Sequence, residues 1–218
     1  MITLDYLPNR EEIKLYQDDE MFRINTDTFA LGEFLNIYKQ DTVLDIGTNT
    51  GALLLYASRF NPKKLIGLDI NSKALELAKK NLELNNISNY ELVNGDANNY
   101  LSEEVDVIIC NPPYFKSRAQ DRGQNEYLRL AKHEENLPLG NLIRTINRNL
   151  KCNGKLFFLF QTSRLFDVYE EFKKNNLVIK ELKYVYDINK EYSNVVLIKA
   201  VKCGKNGVNV LKPLIIER

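Results

Sequence analysis

Short runs of consecutive apolar residues alternate, through the middle of the chain, with segments whose apolar positions recur every three or four residues. Thr42 to Ile46, Lys64 to Ile70, Tyr90 to Val93, Val105 to Cys110 and Lys155 to Phe160 are runs of the first kind. Their length and their content of Val, Ile, Leu and Phe predict strands. Between them, Gly51 to Arg59, Lys73 to about Asn85 and Leu139 to Leu150 read as helices. The second carries an apolar face of Leu75, Leu77, Ala78 and Leu82, with Asn71 and Ser72 placed to cap it. The third has its face at Leu142, Ile143, Ile146 and Leu150. Continuous apolar strands alternating with helices predict an α/β fold, a mostly parallel sheet with helices on both faces. The end of the chain departs from that rhythm. Val178 to Asp187 and Val195 to Lys202, joined by the turn-prone segment Ile188 to Asn194, predict an antiparallel hairpin that closes the sheet at seven strands. Residues 1–40 read as an N-terminal extension folded onto one domain spanning 1–218.

Composition narrows the class. At 218 residues, 44% of them hydrophobic and 27% charged, the chain has the makeup of one globular domain. It has no apolar stretch long enough to span a membrane and no signal-peptide pattern, so a cytoplasmic protein is expected. Cys110, Cys152 and Cys203 are far apart with no C-x-x-C pair, and His133 is the only histidine. That argues against a disulfide framework and a metal site alike. The net charge of +1 conceals a split: residues 1–106 hold 18 acidic and 10 basic side chains, residues 107–218 hold 11 and 20. The second half is therefore the one suited to a polyanion.

The first predicted strand runs into a turn with chemistry of its own. In Val-Leu-Asp-Ile-Gly-Thr-Asn-Thr-Gly, residues 43–51, Gly47 and Gly51 allow a tight turn and close approach of a ligand to the strand end and the next helix. Asp69 closes the second strand 22 residues after Gly47, where a carboxylate can accept both hydroxyls of a ribose. Asp96, after the third strand, is in place for an adenine amino group. With Asp45, three acidic residues stand at the ends of three successive strands.

This pattern resembles the class I, Rossmann-like S-adenosylmethionine-dependent methyltransferases over residues 40–160. The family often has glycine where Asn49 stands, and asparagine shares its tolerance of positive φ. A nicotinamide-dependent dehydrogenase is the competing reading; the missing glycine of G-x-G-x-x-G counts against it. The resemblance implies S-adenosyl-L-methionine as cofactor, held by Thr26, Asp45, Gly47, Thr48, Gly51, Asp69, Ile70, Asp96, Ala97 and Asn111.

After the fourth strand comes Asn111-Pro112-Pro113-Tyr114. Proline lacks an N–H and restricts the residue before it, so the strand exits stiffly with carbonyls uncommitted to a ladder. The Asn111 side-chain oxygen and the Pro112 carbonyl can together accept both hydrogens of a planar amino group. That favours a pyramidal nitrogen with a localised lone pair. Tyr114 offers a face for stacking an extruded base. The tetrad resembles that of methyltransferases acting on adenine N6, on guanine N2 of ribosomal RNA, or on the glutamine amide of release factors.

Three features favour RNA. Only 58 residues follow Phe160, too few for the target-recognition region of a DNA enzyme. Lys116, Arg118, Arg122, Arg129, Lys132, Arg144 and Arg148 follow the tetrad as candidate phosphate contacts. Phe22 to Gly32, with Thr26 or Asp27 as the expected helix cap, is similar to the segment that lies over the cofactor in bacterial adenosine-37 N6-methyltransferases of valine tRNA. Leu130 to Glu134 is also similar to theirs. The expectation is a tRNA adenine-N6 methyltransferase with a tRNA substrate and no stable protein partner; a release-factor glutamine or ribosomal guanine-N2 enzyme is the alternative.

Overall fold

The computed structural model describes residues 1–112 and 137–217. Its centre is a nine-stranded sheet. Five strands are parallel: β3 (Thr42–Ile46), β4 (Lys64–Asp69), β5 (Tyr90–Asn94), β6 (Val105–Cys110) and β7 (Leu150–Gln161). β8 (Leu177–Asp187) and β9 (Val195–Lys202) form the expected antiparallel hairpin, with β9 paired to β7. Along the main path the order is β10-β8-β9-β7-β6-β3-β4-β5. The sheet exceeds the seven strands expected because β10 (Asn209–Val210) and β11 (Leu214–Ile216) add short parallel pairings to β8. Those segments are too short to show a period in sequence.

β3, β4 and β6 are buried nearly throughout, which is why they read as unbroken apolar runs instead of alternating ones. Helices α2 (Ala52–Ser58), α3 (Ser72–Leu84) and α4 (Leu139–Asn149) fall where periodicity put them, and Asn71 caps α3 by accepting from the Lys73 N–H at 3.0 Å. Helix α5 (Leu165–Lys174) was not anticipated. Its buried Val168 and Phe172, with Leu165, are an i, i+3, i+7 stripe in a segment only ten residues long. None of the helices among the described residues is long and apolar enough to cross a membrane.

The first 40 residues hold a separate two-stranded sheet, β1 (Ile2–Leu7) and β2 (Arg10–Asp18), then α1 (Thr26–Phe34). α1 is capped by Asn25 instead of Thr26 or Asp27: its side chain accepts from the N–H groups of Asp27 and Thr28, both at 3.0 Å. Asn25 has the extended backbone of a cap, φ −134 and ψ −177, while Thr26 already lies within the helix. Close packing docks this region. A Cβ on Gly32 would sit 2.4 Å from the Tyr56 ring, so glycine lets α1 press on α2. The two strands reach α3 through its asparagines. Asn81 accepts from the Tyr16 N–H at 2.6 Å and donates to the Tyr16 carbonyl at 3.0 Å; Asn85 does the same with Lys14, at 3.2 and 2.6 Å. Two side chains one helical turn apart thus pair with β2 as a neighbouring strand would.

Candidate functional site

The chain runs β3, β4, β5 toward one edge of the sheet, then returns with β6 to the other side of β3. The crevice beyond the ends of β3 and β6 is therefore a topological switch point, where open α/β sheets receive ligands. Register decides which residues stand there. Ile46 is level with Leu68 on one side and Cys110 on the other. The next residues, Gly47, Asp69 and Asn111, consequently stand side by side at the exits of three adjacent strands.

The turn after β3 is shaped by its backbone. Gly47 and Gly51 have φ of 77 and 81, and Asn49 between them has φ 48. A Cβ on Gly47 would meet nothing within 4 Å, so this face of the turn is open. The Gly47 and Thr48 N–H groups both donate to the Leu68 carbonyl, at 2.8 and 3.0 Å, and tie the turn to β4. Gly51 precedes α2 as its cap.

Asp69 is buried at the end of β4 and oriented by backbone. Its Oδ2 accepts from the Asn49 N–H at 2.7 Å and its Oδ1 from the Asn71 N–H at 2.9 Å. Burial pushes its carboxyl up, while those amides act in the opposite direction. Each oxygen keeps a lone pair for a donor from the crevice. Ile70 beside it is 59% exposed, an apolar surface next to a carboxylate. The Asn94 side chain donates to the carbonyls of Asp69 and Ile70, at 3.1 and 2.9 Å, and so fixes the exit of β4.

Asp45 is wholly buried in β3. Neither of its carboxylate oxygens, nor the Thr48 hydroxyl, has a hydrogen-bond partner among the described residues. Burial is the main force that raises its carboxyl to about 7; the nearby Thr48 hydroxyl lowers it without making a well-formed bond, and the Asp69 charge raises it further. An unpartnered buried carboxyl at the end of such a strand suits a cationic ligand group.

Asp96 is exposed beyond β5, with Oδ1 accepting from the Asn98 N–H at 2.8 Å and the Asn98 side chain at 2.9 Å. Ala97 packs against the core. This turn is braced from α4: Asn141 donates to the Asn98 side chain at 3.2 Å, and Arg148 to the Asn98 carbonyl at 3.3 Å and the Thr145 hydroxyl at 3.0 Å. Arg144 donates to the Asn141 side chain. Both arginines are exposed on one face of α4 and border a cavity of about 800 Å³ shared with Asp96 and five asparagines, 98, 99, 141, 147 and 175. Sequence spacing had no means of bringing the third-strand turn and α4 together, and the bracing roles of Asn98 and Asn141 went unforeseen. Asparagine side chains carry no periodic signal.

Asn111 is half-buried and Pro112 buried at the end of β6. Thr26 opens α1. Tyr114, Lys116, Arg118, Arg122, Arg129, Lys132 and His133 lie outside the described residues. Among the described residues no group of three or more His, Cys, Asp or Glu side chains could hold a metal ion.

The methyltransferase small domain family model matches residues 20–178. A tRNA1(Val) (adenine(37)-N6)-methyltransferase of Porphyromonas gingivalis is 32% identical over 111 residues, which cover 47% of this chain and 42% of that protein. A Methanocaldococcus jannaschii protein provisionally named a protein N5-glutamine methyltransferase is 39% identical over 69 residues, covering 32% of this chain and 34% of that protein. The chain thus spans less than half the length of these curated relatives. Among solved structures, M. jannaschii TYW2 in complex with AdoMet superposes with a TM-score of 0.62 at 14% identity, over 91% of this chain and 84% of that one.

Proposed function

Since the chain belongs to the methyltransferase small domain family, with the class I fold and S-adenosyl-L-methionine as cofactor, we propose that it methylates the exocyclic N6 amino group of adenine in RNA. Adenosine 37 in a tRNA anticodon loop is the substrate this reading names. The strand exits fit the cofactor. Asp69 has lone pairs for a ribose diol, Ile70 an exposed apolar side chain for adenine, and Gly47 an open face. Asp45 offers a buried carboxyl with no partner among the described residues, which the cofactor's cationic methionine end would draw into its ionised form. When bound, the cofactor supplies a methyl group activated by a sulfonium.

What supports the choice of an amino group is Asn111 beside Gly47 and Asp69, followed by a proline in the exit of β6. The Asn111 side-chain oxygen and the Pro112 carbonyl accept the two N–H bonds of the target amine and favour its pyramidal, nucleophilic form. No side-chain base is needed to begin the attack, because the lone pair is already on nitrogen. The methylated, cationic nitrogen then gives up its proton to water, while the amide oxygens only accept hydrogen bonds. Tyr114 holds the base by stacking, worth about 1–3 kcal/mol.

RNA as the substrate rests on the tRNA-methylating relative and on Arg144 and Arg148 beside Asp96. A protein glutamine amide is the second reading, favoured by the M. jannaschii relative. Methyl transfer from labelled cofactor to total tRNA, to ribosomal RNA and to purified release factor separates them. Label in tRNA, recovered as N6-methyladenosine, is the expected result; label in the release factor alone overturns the RNA reading.

A further inference from the structure

Six asparagines among the described residues hold positive φ: 9, 49, 61, 86, 153 and 176. For the other five, no side-chain hydrogen bond to a remote segment is seen among the described residues. Asn49 differs, since its Nδ2 donates to the Phe22 carbonyl, 27 residues earlier in the chain. Its backbone N–H donates at the same time to Asp69 Oδ2 at 2.7 Å. Glycine would take φ 48 with less strain, so what asparagine adds here is the reach of its side chain.

We propose that Asn49 is a positioning residue that latches residues 19–25 onto the cofactor turn and thereby slows cofactor release. A second tie joins the hairpin to the same turn. Asn81, fully buried, holds both backbone groups of Tyr16 and donates to the Thr50 carbonyl at 2.9 Å, one residue past Asn49. Residues 19–25 are also fastened to the hairpin, because the Ile24 N–H donates to the Gln17 side chain at 2.8 Å and Gln17 donates to Asp5 at 2.7 Å. The hairpin and the segment after it are therefore anchored to adjacent residues of one turn. Locking the Asn49 side chain fixes the direction of its N–H, which orients Asp69. A preorganised acceptor loses less entropy when it binds.

The test is Asn49→Gly, which suits the turn's positive φ and removes the side chain that makes the latch. S-adenosylhomocysteine is the probe, with its dissociation rate and Kd measured by stopped-flow and calorimetry. Expected is a weakening of about tenfold, most of it in dissociation. In the cofactor-free variant, amide hydrogen exchange should quicken at residues 19–25 while β3, β4 and β6 keep their protection. An unchanged dissociation rate overturns the latch. So does exchange that quickens throughout those three strands, because Asn49 would then act through the fold.

Discussion

At the residue scale, Asn111 and Asp45 carry different predictions. Asn111 follows β6 at the strand exit; under the proposed mechanism it is one of two acceptors for an amino group, and its effect would be confined to the transition state. Asn111→Ala should lower kcat by about 10²–10³-fold and leave the Kd for S-adenosylhomocysteine within a few fold. Rapid-quench transfer assays and calorimetry read the two effects, and collapse of cofactor binding would instead assign Asn111 to the cofactor site or the fold. Asp45 predicts a pH dependence. Its carboxyl is raised to about 7 in the folded chain against 3.8 for the free group. Between those values the folded state holds a proton that the unfolded state has lost, so this contribution is complete below about pH 4 and is lost as pH rises through 7. Relative to wild type, Asp45→Asn should gain melting temperature steadily from pH 4.5 to 7 and level off above. A difference independent of pH would mean that Asp45 is ionised in the folded protein.

At the scale of elements, the N-terminal region is held by capping and by side chains that imitate a strand. Asn25 satisfies two N–H groups at the start of α1. Asn25→Ala should cost about 1 kcal/mol, measured by urea unfolding. Asn85→Ala removes the less buried member of the pair facing β2, so it should raise amide exchange in β1 and β2 while leaving β3 to β7 protected. Exchange unchanged in the hairpin would mean that Asn81 and the packing of Leu7 and Leu15 dock it without Asn85.

For the whole molecule, the candidate phosphate contacts carry the next predictions. The two basic residues described from the second half's candidates, Arg144 and Arg148, share one cavity with Asp96 but have different duties. Arg144 bonds within its own helix, whereas Arg148 also braces the turn that carries Asp96. Arg144→Ala should raise the RNA Michaelis constant, reduce the magnitude of the salt slope by about one and leave cofactor affinity unchanged. Arg148→Ala should weaken RNA and cofactor together. Titrations from 50 to 200 mM salt, beside cofactor calorimetry, distinguish the two, and an unaltered salt slope in both variants would dissociate this cavity from RNA.

The amino-acid sequence by itself determined the parallel sheet, because strands buried on both faces leave unbroken apolar runs, and helices on its faces leave a repeat of three to four. It also determined the glycine turn, Asp69 and the Asn111-Pro112 exit, since glycine, proline and a strand-terminal acid each have a narrow set of backbone or chemical uses. Tertiary structure alone decided what depends on register and on remote hydrogen bonds. Gly47, Asp69 and Asn111 become neighbours only when β6 returns beside β3. Asn25 rather than Thr26 caps α1 because of its extended backbone, and adjacent polar residues do not differ enough in type to reveal this. Asn49, Asn81 and Asn98 are ordinary turn or helix residues in sequence; their partners lie 27 to 65 residues away, or on another helix, at distances that no local pattern encodes.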